Sequence, residues 1–379
     1  VVMKPVLTLC AQPLFEARGS PIRVKAFLRA LGNAKIPSEV ITLPVGPDAP
    51  LPASVRIRRV PNLLRVQSVS IGPSLAKLFF GILIAGAGLV RAIPGRYRIV
   101  HGIEEMGLPA WIIARLTGAR FIYEKHSDPA SYQNGSLPRK TIMGLYAQVE
   151  KFVCRRADVI VATGPGTGQQ ARFYRSHAEI EEIDDVPSDD REATDAKTEA
   201  WRKRIGARGG ETTFAYIGSF AAYQGVSLFL DAADAALQRR TDLRLALVGN
   251  SPEIEKVLKR AEAGGYADRI FHCPSIPPDE VADFLAACEV LVSPRLEGHN
   301  TPLKVLDYLR SGRSILATNT PANRLVLDET VALITSPDPQ SIASAMEALA
   351  DQPETRKALG ESGRKFFKRR FGFARFERA

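Results

Sequence analysis

Apolar and polar positions follow one another along this chain in two rhythms. Short apolar runs of strand length recur at 6–10, 39–43, 99–101, 121–124 and 159–163. Between them, apolar residues return every three or four positions, which predicts helices over 21–31, 75–92, 109–117 and 141–157. An acidic polar stretch from Glu179 to Glu192 interrupts the pattern, which then restarts. Strands are expected at 213–218, 243–249, 270–272, 290–293 and 314–318, and helices at 225–238, 254–264, 278–287, 301–311, 339–350 and 353–371. Strand and helix in succession imply parallel sheets covered by helices. The expected class is therefore α/β, with two Rossmann-like domains facing a central cleft. The boundaries read as a first domain at 1–178, a linker at 179–210, a second domain at 211–360 and a terminal helix at 361–379 that crosses back to the first domain.

Composition changes this picture little, and charge changes it more. At 379 residues, 45% hydrophobic and 24% charged, the chain is long enough to bury two cores. Four cysteines stand singly without a CxxC pair, which reads as small buried residues in a reducing compartment. The five histidines lack metal-ligand spacing, so no metal is expected. Residues 1–178 hold 24 Lys/Arg against 9 Asp/Glu, whereas the remainder holds 27 against 32. A balance of +15 in the first part implies an anionic partner, either a membrane surface or a lipid-phosphate acceptor; the plain alternative is a solvated basic surface. No recognition motif accompanies the charge, and nucleic acid is not expected. The longest apolar run, 78–90, has 13 residues between Lys77 and Arg91, short of the roughly 20 that span a bilayer. With no secretory signal at the start, the expected location is cytoplasmic, peripheral at the inner face of a membrane.

Three glycine-rich turns follow strands or precede helices. Tyr216-Ile-Gly218-Ser219-Phe-Ala-Ala-Tyr-Gln-Gly225 leaves a strand and enters a helix, where backbone N–H groups can receive a phosphate. Arg18-Gly19-Ser-Pro21 precedes a helix that Pro21 starts well. Gly164-Pro-Gly166-Thr-Gly168 has G-x-G-x-G spacing after the last strand of its domain, and reads as a turn and helix cap rather than a dinucleotide site. The densest polar cluster is Arg295-Leu-Glu297-Gly-His299-Asn300-Thr301-Pro-Leu-Lys304-Val-Leu-Asp307. Thr301 stands near the N-cap of its helix, Lys304 can supply charge to a diphosphate, and Asp307 lies one turn on along roughly the same face.

These residues resemble the group 1 (family 4) retaining glycosyltransferases of the GT-B fold. The resemblance covers essentially the whole length, through Pro302-Leu-Lys-Val-Leu-Asp307 with Gly312, the loop 216–225, Arg18-Gly-Ser-Pro-Ile-Arg23, and Phe121-Ile-Tyr-Glu-Lys-His126-Ser127. It implies that the first domain serves the acceptor and the second binds a nucleotide-sugar. Gly19, Gly218, Ser219, Asn300, Thr301 and Lys304 would meet the donor, Asp307 its ribose, and 271–276 would lie beside the base. His126, Glu297 and His299 would be catalytic. The nucleotide-sugar is a substrate, and no cofactor is implied. The implied acceptor is a glycan or a lipid-linked molecule.

The family often has two glutamates separated by seven residues; here seven residues separate His299 from Asp307, and Glu297 lies two further back. Its diphosphate loop usually ends Lys-Gly, and here it ends Gln224-Gly225; its I-x-N-G-V-D junction is replaced by Ile183-Asp-Asp-Val-Pro. The implied chemistry is transfer of a hexose-type sugar with retention and without a metal, for polysaccharide biosynthesis. The departures keep two alternatives open, a non-catalytic nucleotide-sugar-binding protein and a GT-B sugar-nucleotide epimerase.

Overall fold

The computed structural model describes residues 4–16, 19–69, 74–127, 137–175, 179–188, 191–298 and 301–379. The chain divides into one unit of residues 1–186 with 373–379 and another of residues 187–372.

The first unit is built on seven strands: β1 (Val6–Cys10), β2 (Ser38–Thr42), β3 (Val55–Arg59), β4 (Ile99–Ile103), β5 (Arg120–Lys125), β6 (Val159–Ala162) and β7 (Glu179–Glu182). They form one parallel sheet in the order β3-β2-β1-β4-β5-β6-β7. Side chains alternate across a strand, so β1 serves two cores at once. Leu7 and Leu9 pack with Phe80, Ile84, Ile113 and Val153 from the helices Leu75–Ala92, Gly107–Thr117 and Leu137–Arg156. Cys10 packs on the other face with Val24 and Leu28 of the helix Gly19–Asn33. The turn at Gly164 caps the helix Pro165–Tyr174, with φ 140° and Pro165 at the first helical position.

The second unit repeats this plan. Strands β8 (Thr212–Ile217), β9 (Leu243–Val248), β10 (Ile270–Cys273), β11 (Val290–Ser293), β12 (Ser314–Thr318) and β13 (Leu333–Thr335) form a parallel sheet in the order β10-β9-β8-β11-β12-β13. Strand order reverses between β1 and β4, and again between β8 and β11. In open parallel sheets, ligands bind beyond the carboxyl ends of the strands at such points.

The expected linker does not hold as drawn. Residues 179–182 are β7, the outer strand of the first sheet, where Ile180 packs on the core and the three glutamates do not. The helix Asp195–Ile205 belongs to the second unit, anchored by buried Trp201 and Ile205 one turn apart. The terminal segment also splits. The helix Pro353–Arg370 packs within the second unit, where a Cβ on Gly360 would lie 2.1 Å from the Gly312 carbonyl oxygen. Only 373–379 joins the first unit, through Arg29 stacked 4.0 Å from the centre of the Phe373 ring and Asn33 donating to Glu377 at 2.6 Å.

Candidate functional site

The second unit gathers its polar residues where β8 and β11 end. Gly218 follows β8 with φ 139°, a conformation that favours glycine, and a Cβ there would stand 2.9 Å from Lys304 Nζ. Lys304 Nζ donates to Tyr216 Oη at 2.8 Å and to Gln224 Oε1 at 3.1 Å, and sits 4.1 Å from the Tyr216 ring centre. Tyr216 Oη in turn donates to the Ser219 carbonyl at 2.6 Å. Gly225 has φ 65°, and a Cβ there would fall 2.0 Å from the Pro294 carbonyl oxygen, so only glycine lets the β8 and β11 loops approach this closely.

Lys304 occupies the first turn of the helix Leu303–Ser311, whose N-cap is Pro302 and whose first turn has no side-chain cap. Thr301 is buried next to that cap, and Pro302, expected in the first turn, is the cap itself and brings no hydroxyl. Uncapped first-turn N–H groups and the positive end of the helix favour an anion. Burial, and then the charge of Arg295, push the Lys304 ammonium down to about 7. Among the described residues no carboxylate pairs with Lys304. Arg295 is buried, donating from Nε to the Glu297 carbonyl at 2.8 Å. Its own carbonyl accepts from Thr318 at 2.6 Å and Thr320 at 3.0 Å, which ties the β11 loop to the end of β12.

The remaining expected residues of this unit are placed unequally. Ser219 is exposed beside Gly218. The Glu297 side chain is exposed. Asp307 is buried, and its carboxylate accepts from Ser188 N at 3.1 Å and Ser188 Oγ at 2.7 Å, so any ribose would share it with Ser188. In β10, expected beside the base, His272 Nε2 lies 2.9 Å from the Gly249 carbonyl oxygen. His299 and Asn300 lie outside the described residues.

In the first unit, His126 follows β5, buried, with Nε2 3.0 Å from Glu124 Oε1. Glu124 also accepts from Arg23 Nε at 2.6 Å, and its other oxygen lies 3.0 Å from His101 Nε2. Arg23 reaches further, to Asp185 Oδ1 at 3.1 Å and the Ile183 carbonyl at 2.8 Å. Burial would raise the Glu124 carboxyl, but Arg23 and the two histidines outweigh it and hold it well below the usual range. Burial likewise opposes charge on His126, and Glu124 prevails and raises it. His126 Nδ1 is buried without a hydrogen-bond partner among the described residues. Nearby in the same chain segment, Ser127 Oγ donates to Glu104 at 2.6 Å. Gly19 is exposed as the first residue of its helix.

Sequence reasoning did not single out Glu124, Asp185, Tyr216 or Ser188. Glu124 and Tyr216 stood inside quoted motifs, while the pairing of Arg23 with Asp185 joins positions 162 residues apart.

Comparison with known proteins matches residues 18–183 to the family "Glycosyl transferase 4-like domain" and residues 197–366 to "Glycosyl transferases group 1". Alpha-D-kanosaminyltransferase of Streptomyces kanamyceticus is 24% identical over 362 residues, covering 89% of this chain and 92% of that protein. Among solved structures, sucrose-phosphate synthase from Thermosynechococcus elongatus has a TM-score of 0.77 at 19% identity, covering 99% of this chain and 96% of that one. Anabaena HepE in complex with UDP and glucose has a TM-score of 0.74 at 12% identity, covering 99% of this chain and 98% of that one. These likenesses establish the GT-B fold.

Proposed function

The chain belongs to the group 1 glycosyltransferases, and on that premise we propose that it moves a hexose-type sugar from a nucleoside-diphosphate sugar to a glycan or lipid-linked acceptor, with retention at the anomeric carbon. The observation that carries the donor half is Lys304, an ammonium set beside Arg295 in the first turn of its helix, over Gly218, with neither a side-chain cap on that turn nor a carboxylate paired with the ammonium among the described residues. An ammonium that no carboxylate among the described residues pairs with, at the switch point of a parallel sheet, suits a diphosphate. HepE, which shares the fold, was solved with UDP and glucose.

In the proposed reaction the bond from the anomeric carbon to the donor phosphate breaks, and a bond to the acceptor oxygen forms on the same face. The acceptor proton passes to an oxygen of the departing diphosphate. Lys304 and the backbone N–H groups of the first turn of 303–311 stabilise the charge that grows there, so no metal is required. Gly218, Ser219, Asn300 and Thr301 keep donor contacts in this reading, and Asp307 takes the ribose together with Ser188. Gly19, His126, Glu297 and His299 keep the roles that the family resemblance gives them, and the enzyme works in the cytoplasm against a membrane.

The test is turnover and donor hydrolysis by the full chain with UDP-, GDP- and ADP-glucose, alongside Lys304→Ala and Asp307→Ala. The expected result is one preferred nucleotide and loss of about 10²–10³ in turnover for Lys304→Ala. Unchanged turnover in both variants overturns the site. Epimerised free donor without acceptor dependence replaces transfer by epimerisation.

A further inference from the structure

The helices Leu75–Ala92, Gly107–Thr117 and Leu137–Arg156 cover one face of the first sheet, since all three contribute to the same core and the middle one touches both others. A helix in such a layer normally turns a polar face to water. The helix 75–92 does not. Its inner face, Phe80, Gly81, Ile84 and Gly88, is buried against the sheet. Its outward positions run at three- and four-residue spacing through Leu75, Leu78, Ile82, Gly86, Val90 and Ile93, all exposed, Leu75 at 86% and Val90 at 71%. The neighbouring helices repeat the pattern, with exposed Ile112 and Leu116 on one and Ile142 and Leu145 on the other. Scattered exposed leucines are ordinary, but nine large apolar side chains on one layer of three adjacent helices, or just past its end, make a patch.

Charge identifies what covers it. The three helices hold eight Lys/Arg and one acid, Glu150, which is buried against Lys125. Each carries cations in its last turn, Arg91, Arg115, and Arg155 with Arg156; two of the eight meet acids from outside the layer, Lys77 with Glu105 at 3.1 Å and Arg91 with Glu39 at 2.9 Å. Just beyond the first helix, Arg91 and Arg96 line an open groove with Val90 and Pro94. Apolar faces edged by arginines suit the boundary between acyl chains and anionic headgroups.

We propose that the outer face of this three-helix layer docks on an anionic lipid bilayer, with the helix 75–92 lying in the plane of the interface. That helix is 18 residues long, with a mean hydropathy of 1.8, which by length and composition alone would suit crossing. Crossing would strip Phe80 and Ile84 from the core of the sheet, so the helix lies on the membrane and does not span it. The proposal deepens the peripheral-membrane part of the proposed function and rests on it only for the choice of acceptor.

The experiment is flotation of the full chain with vesicles of phosphatidylglycerol and phosphatidylcholine in equal parts, and with vesicles of phosphatidylcholine alone. Binding to the anionic vesicles is expected at low salt, weakening as salt is raised. Leu78→Glu with Ile82→Glu is expected to lose about tenfold or more in partition. Its unfolding midpoint and nucleotide binding stay at the wild-type values, because both side chains are exposed and neither is assigned to the donor. Should that pair unfold the chain, Leu78→Ser with Ile82→Ser gives the same reading with less charge. Failure of the wild type to float with anionic vesicles overturns the proposal, as does equal flotation of wild type and variants. A concentration-dependent dimer in sedimentation that the double variant abolishes assigns the patch to a second copy instead. Nucleotide binding is read separately, so failure of the donor site and failure of the membrane face are distinguishable.

Discussion

Two lysines show how differently the two units treat a cation drawn into the protein. Lys125, in the first unit, is fully buried and pairs with Glu150 at 2.7 Å, and its ammonium also reaches the Ser127 carbonyl at 2.7 Å. Lys304, in the second, is half-buried and among the described residues donates to a phenol and an amide. The first unit repeats its habit at Arg23, which meets both Glu124 and Asp185. A paired buried cation belongs to the fold, because removing either member strands the other. A cation held beside another, without an acid, costs the empty protein stability and suits an anion that arrives later.

The comparison can be broken most forcefully in the first unit. Lys125→Met should cost about 3–5 kcal/mol in chemical denaturation, because it leaves Glu150 buried without its partner, and Glu124→Gln should cost less, because Arg23 keeps Asp185. Losses below about 1 kcal/mol would mean that these pairs are not structural. Next comes Gly225→Ala, which forces an alanine to φ 65° with its Cβ against the Pro294 carbonyl; we expect about 2–3 kcal/mol of destabilisation, with donor binding lost alongside.

A smaller effect concerns pH. Empty, Lys304 titrates at about 7, and a bound diphosphate favours its charged form, so binding takes up a proton above that pH. Affinity for the nucleotide-sugar should therefore fall as pH rises above 7, by up to about tenfold per pH unit. Calorimetry across about pH 6 to 9 would show it, and a flat profile would mean that Lys304 stays charged without a ligand. The smallest effect is expected from Gln224→Lys, which restores the cation common in the family's loop. Donor affinity should tighten by about threefold to tenfold while the unfolding midpoint drops slightly, since a third cation joins Lys304 and Arg295.

Much of this was legible from the pattern of residues. The helix at 75–92 and the strands 6–10, 290–293 and 314–318 are found at the expected bounds, because their apolar runs are long, periodic and ended by turn residues. The strands β3, β7 and β13 were not anticipated. Val55-Arg-Ile-Arg-Arg59 and Glu179-Ile-Glu-Glu182 are outer strands of their sheet, and too few of their side chains face a core to mark them. The helix Asp195–Ile205 hid for a similar reason, with only Trp201 and Ile205 buried.

At the candidate site, the meeting of Gly218 and Lys304 was legible because both stand where a strand gives way to a helix at the reversal of strand order. The network of Arg23, His101, Glu124, His126 and Asp185 was not, because its members meet only when β4, β5 and the chain after β7 come together. Ser188 escaped for the same reason, lying 119 residues from the Asp307 carboxylate it holds.

The central claim is that Lys304 is placed for a ligand and not for the fold. It is tested most directly by Lys304→Met, measured by calorimetry with UDP, GDP and ADP and by thermal unfolding without ligand. Whichever nucleotide binds the wild type should bind the variant about 10²–10³ times more weakly, while the unfolding midpoint holds or rises. Wild-type affinity in the variant, or a midpoint that falls as it does for Lys125→Met, would contradict the account.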